Sequence, residues 1–77
     1  MRKIKLIWDF RGPESAKTAE HHKIHLDEFL ATKKTQGVLA GFQVLSDVYA
    51  IAFIVVDEAD MIVFRDALRP HRGEVYE

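Results

Sequence analysis

A small α+β domain is the fold class this chain predicts, and three observations carry the prediction. KIKLIWDF, residues 3 to 10, alternates in polarity with a period of two. Residues 15 to 34 change to helical spacing. VYAIAFIVV, residues 48 to 56, is apolar throughout and rich in β-branched and aromatic side chains, the composition of a buried strand. The chain has 77 residues, enough for one domain and too few for two, so residues 1 to 77 are expected to form a single unit with no linker or repeat.

The elements follow in order. In the first strand Ile4, Leu6, Trp8 and Phe10 point one way, and Lys3, Lys5, Ile7 and Asp9 the other. Gly12-Pro13 interrupts it, and Ser15 is the expected N-cap of a helix reaching Lys34. On that helix Ala19, Leu26 and Leu30 fall in one narrow sector, flanked by His22 and Phe29. Gly37 is expected to release the helix after a frayed Thr35-Gln36 end.

A second strand is expected over residues 38 to 45, with Gly41 marking a bulge or a close backbone contact. Ser46-Asp47 connects it to the third strand, which is apolar on both faces: Tyr49, Ile51, Phe53 and Val55 on one, Ala50, Ala52, Ile54 and Val56 on the other. Asp57 is the expected cap of a second helix from Glu58 to Leu68, which Pro70 stops. Only a short final strand around Glu74 to Tyr76 fits in the remainder. The resulting order, β-α-β-β-α with a final short strand, is ferredoxin-like.

Composition limits the function classes. Eleven Lys and Arg against twelve Asp and Glu give a formal charge of -1, which supplies no global attraction for nucleic acid or an anionic membrane, and neither partner is predicted. Cysteine is absent, which excludes disulfides, thiolate metal sites and thiol nucleophiles. No stretch reads as a secretory signal or a membrane-spanning helix, so the expected location is cytoplasmic. A glycine-rich phosphate loop is also missing, and no cofactor is expected.

Two helices can cover only one face of a four-stranded sheet, while the third strand is apolar on both. The sequence therefore predicts a homodimer that buries the second sheet face against another copy. The competing account places alanines under long neighbouring side chains, which would leave little to bury.

The element order, the His25-Leu26 pair on the first helix and the GVLAG stretch from Gly37 to Gly41 resemble the dimeric α/β-barrel superfamily of small ferredoxin-like domains, and within it the YCII-like branch. That superfamily includes small monooxygenases and isomerases. The resemblance implies a sheet-to-sheet dimer, a cleft between sheet and helices, and a histidine–aspartate pair that falls on His25 and Asp66.

The stretch AEHHKIHLDEF gathers three of the four histidines. His21 and His25 share a helix face at a spacing of four, His22 and His25 are neighbours at three, and His21 and His22 diverge by about 100° around the axis. A metal would need a third ligand from elsewhere, and no metal site is predicted. An acid–base role needs only one oriented partner, for which Asp9 and Asp66 are the candidates. The structural alternative leaves His21 and His25 in solvent and packs His22 beside Phe29.

Trp8 and Phe10 belong by position to the core. If they instead flank a cleft, Tyr49 and Phe53 are their companions. Asp9 lies on the opposite face, where burial would demand a counterion such as Arg11 or a basic residue of the other copy. RDALRPHR is the second unusual stretch. Arg65, Arg69, His71 and Arg72 make a positive end suited either to the helix C-terminus or to a small organic anion held bidentately.

Two functional classes follow. One is a small-molecule-binding domain or acid–base enzyme using His25 and Asp66 as catalytic groups and Trp8, His22, Tyr49 and Arg69 as ligand contacts. The other is a non-catalytic homodimeric structural or regulatory domain.

Overall fold

The computed structural model describes residues 2 to 33 and 38 to 76. Its elements are β1 (Lys3–Arg11), α1 (Ser15–Lys33), β2 (Leu39–Ser46), β3 (Tyr49–Asp57), a single 3-10 turn (Glu58–Asp60), α2 (Met61–Leu68) and β4 (Arg72–Tyr76). The four strands form one antiparallel sheet in the order β2-β3-β1-β4, an α+β arrangement compatible with a ferredoxin-like fold. The expected helix release at Thr35 to Gly37 lies outside the described residues.

The alternation in β1 and β3 sorts the two faces of the sheet. Ile4, Leu6 and Trp8 of β1 and Ala52, Ile54 and Val56 of β3 join Leu26 of α1 and Phe64 of α2 in one buried cluster, with Phe10, Phe29 and Leu30 packed against it. Both helices therefore lie on the Trp8 face. The alanines of β3 are the residues that let α1 approach the sheet: Ala50 and Ala52 are fully buried beneath it, as is Ala19 on the helix itself.

The opposite face carries no helix among the described residues, yet it is not a bare apolar surface. Ile7, Ile51 and Val55 are 1%, 5% and 3% exposed within the single chain. Long side chains flank them in the register: Lys5, paired with Val55, places its Nζ 4.4 Å from the centre of the Phe53 ring, and Arg72, paired with Ile7, reaches from β4 to Asp9. The shielding expected for an alanine face thus operates on the face of larger residues. Apolar exposure concentrates elsewhere, with Leu39, Phe42, Val44, Leu45 and Val48 in and just after β2, and Ile62 and Val63 on α2.

Three local expectations change. Ser15 opens α1, but its Oγ is buried and has no hydrogen-bond partner among the described residues, so it caps nothing; the Glu14 carbonyl instead accepts from both the amide and the hydroxyl of Thr18. Asp57 precedes the 3-10 turn without capping it, because its carboxylate lies 3.0 Å from Lys3 Nζ. The second helix accordingly starts at Met61, after that turn, rather than at Glu58. It ends on Arg69, whose φ of 50° is left-handed and whose amide donates to the Arg65 carbonyl; Pro70 follows.

Gly41 is a close-approach position rather than a bulge. A Cβ there would stand 2.7 Å from Cζ of the Phe53 ring, and the register break falls further on, between Val44 and Ser46.

Candidate functional site

β1 is the inner strand between β3 and β4, so its C-terminal half meets three neighbours at once: β3, α1 and the α2–β4 return. Trp8 Nε1 donates to the Leu68 carbonyl at 3.3 Å, the Asp9 amide donates to His71 Nδ1 at 2.8 Å, and the His71 amide donates to the Ile7 carbonyl at 2.9 Å. The bond from Asp9 fixes the His71 tautomer. Nδ1 is an acceptor, so a neutral His71 carries its proton on Nε2.

On the helix-free face Asp9 is the centre of a polar cluster. Its carboxylate accepts from Tyr49 Oη at 2.5 Å and from Arg72 through Nε at 3.0 Å and a terminal nitrogen at 3.2 Å, a two-pronged guanidinium grip. Arg72 also reaches Glu74 at 3.3 Å, and Arg11 lies over the Tyr49 ring at 4.2 Å. The hydrogen bonds from Arg72 and then Tyr49 hold the Asp9 carboxyl below the ordinary carboxylate range, and Asp9 in turn raises the Arg72 guanidinium further above its own. Within the chain the counterion of Asp9 is therefore Arg72, while Arg11 lies over the Tyr49 ring. All its strong partners lie within the cluster, so it joins three strands rather than offering a free acid or base.

On the helix face the His22 ring packs 4.8 Å from Trp8 and 5.5 Å from Phe10, and its Nε2 is buried without a hydrogen-bond partner among the described residues. Desolvation first, and then the nearby His25 and His71, push its pKa below the usual histidine value. His22 is thus a packed aromatic of the α1–β1 contact, with its ring against Trp8 and Phe10. Phe29 meets Phe64 edge-on.

His21 and His25 stack on the outside of α1 with centroids 4.8 Å apart, and His25 Nδ1 lies 3.3 Å from Glu28. Asp66 stands on α2 with its carboxylate 3.3 Å from the neighbouring Arg65. No hydrogen bond or ion pair joins His25 to Asp66 among the described residues. Trp8 is core at 4% exposure, Tyr49 belongs to the Asp9 cluster, and Arg69 is an exposed helix end. The six singled-out residues are therefore spread over both faces of the sheet and over both helices.

A concave site does exist between α2 and β4. Its volume is about 410 Å³; Ile4, Leu6 and Gly73 floor it, Met61 and Val75 flank it, and Arg65 and His71 are among its polar lining residues, with Arg72 and Glu74 of β4 also lining it. β4 follows β1 through small Gly73, opposite Leu6, and α2 touches the sheet mainly through Phe64, which leaves the groove unfilled. Arg65, His71 and Arg72 of this lining belong to RDALRPHR, but none of the six singled-out residues lines it. Proximity of Arg65 to His71 was readable from the chain; the apolar floor required the β1–β4 register.

Among the described residues no group of three or more histidine, aspartate or glutamate side chains is arranged to hold a metal. No described helix is long and apolar enough to cross a membrane. Comparison with known proteins gives no match to any family model, curated protein or solved structure.

Proposed function

We propose that the chain is a small-molecule-binding domain of ferredoxin-like architecture whose ligand is a small organic anion with an apolar body, bound between α2 and β4. The observation that supports this reading is the groove of about 410 Å³, within the size range of small-molecule pockets, with an apolar floor and a guanidinium and an imidazole among its lining groups. Burial of an aryl or short alkyl body over Ile4, Leu6 and Val75 supplies affinity, and Arg65 supplies the charge-assisted contact. If turnover accompanies binding, His71 is the proton-transferring group of this groove, because the Asp9 amide holds its ring and leaves Nε2 as the donor.

Titration of the isotopically labelled protein with aryl and short-chain carboxylates tests the reading. Amide shifts are expected at Leu6, Met61, Gly73 and Val75, and Arg65→Gln should weaken binding about tenfold. No shifts in the groove up to about 10 mM ligand would remove the proposal, since that is weaker than any useful recognition.

A second reading is a non-catalytic homodimeric interaction domain, paired face to face as a dimeric α/β barrel. The helix-free sheet face favours it, while the shielding of Ile7, Ile51 and Val55 within one chain reduces the apolar surface such a dimer would bury.

A further inference from the structure

The two edges of the sheet are unlike. β4, RGEVY, carries Arg72 and Glu74, the charged side chains that keep an open strand edge from pairing. β2, LAGFQVLS, is eight residues long with neither a charge nor a proline, in a chain that is 30% charged. It also exposes apolar side chains on both faces. Leu39 is 56% exposed on the helix-free side, and Phe42 and Val44 are 38% and 51% exposed on the helix side. An uncharged, extended edge of this kind, with no strand on its outer side among the described residues, is a template for strand addition.

We infer that the Leu39–Val44 edge is a self-association surface on which β2 of a second copy of this chain adds antiparallel about a two-fold axis. Three arguments favour a second copy over a foreign segment. The edge has no charge with which to select a charged partner. An antiparallel pair of identical strands is self-complementary about a two-fold, so Leu39, Phe42 and Val44 of both copies are buried by one contact. The assembly also closes: joining two sheets in the order β4-β1-β3-β2-β2-β3-β1-β4 consumes both unprotected edges and leaves only the charged β4 edges outside. The register break after Val44 confines pairing to the regular part of the strand.

Sedimentation velocity over a dilution series, with amide hydrogen exchange on the same samples, tests this. The expected result is a dimer in which β2 amides gain protection as concentration rises. Val44→Lys and, independently, Phe42→Lys should raise the dissociation constant about tenfold or more, with the circular dichroism spectrum unchanged. Lys5→Glu, at the centre of the helix-free face, should leave it unaltered. A monomer up to about 1 mM would overturn the inference. So would a dimer that Lys5→Glu weakens and both edge variants leave intact, which is the pattern of face-to-face pairing. Either failure leaves the groove titration separately readable.

Discussion

Asp9 and His22 sit on opposite faces of the sheet and give the domain two separate responses to acid. The folded-state pKa of His22 is depressed by burial, so the unfolded chain binds its proton more readily. Stability is full above the ordinary histidine value of 6.5 and falls as pH drops below it toward the folded value. Asp9 is also depressed, here by Arg72 and Tyr49, and its contribution is present above the ordinary 3.8 and lost as pH falls through the lower folded value. Melting temperature against pH should therefore decline in two steps. His22→Gln should flatten the step below 6.5 and Asp9→Asn the one below 3.8. Because Trp8 is the single tryptophan, its fluorescence reads the His22 contact during the same titration.

Arg69 makes a third expectation at this scale. Its left-handed backbone costs an L residue about 1 kcal/mol, and its side chain has no ion-pair partner among the described residues. Arg69→Gly should raise stability by up to about 1 kcal/mol in urea denaturation. The same substitution tests whether this guanidinium contacts ligand, since groove binding should be unchanged. The residue-scale detail that sequence withheld is pairing. Arg72 is 63 positions from Asp9 and meets it only because β4 returns beside β1, whereas Arg11, two residues away, was the partner local reasoning favoured.

Among the elements, periodicity carried nearly everything. The alternation of β1, the Ala19–Leu26–Leu30 stripe of α1 and the continuous apolarity of β3 each became the element expected, within a residue or so at the ends. Caps were less legible, because Ser15 and Asp57 have the right side chains but find burial or an ion pair instead. Shielding was not legible at all, since it depends on which long side chains the register lays beside Ile7 and Val55.

Gly41 shows an element-scale dependence that can be measured. A methyl group there must displace the Phe53 ring, over which Lys5 also sits, so Gly41→Ala should cost about 1–3 kcal/mol despite the better strand propensity of alanine. In a Phe53→Ala background the obstruction is gone. The cost should then vanish or reverse, and a double-mutant cycle in chemical denaturation reads the difference.

For the molecule as a whole, the sequence conveyed the α+β class but could not locate the groove, which no single element contains. It forms where α2 stops at Arg69 and β4 turns back along β1, with Pro70 and His71 between. Three hydrogen bonds hold that return: Trp8 to Leu68, Asp9 to His71 and His71 to Ile7. Removing one of them by Trp8→Phe should cost about 1 kcal/mol and soften the groove wall, lowering amide protection from Leu68 to Gly73 more than elsewhere.

The register of β1 and β4 also makes Lys3 and Tyr76 direct cross-strand neighbours. A two-residue Asn-Gly turn can join antiparallel strands at such a point. The polypeptide can therefore be treated as a ring whose opening is arbitrary. A rearranged gene that links Tyr76 to Lys3 through Asn-Gly and starts at Val48, in the exposed turn after β2, should encode the same sheet in the order β3-α2-β4-β1-α1-β2, with β4 and β1 now a hairpin. Its far-ultraviolet spectrum and amide chemical shifts should match those of the parent away from the new junctions. The linear sequence is then one of several genetic routes to this arrangement, and the hairpin version converts the longest-range pairing of the parent into its most local one.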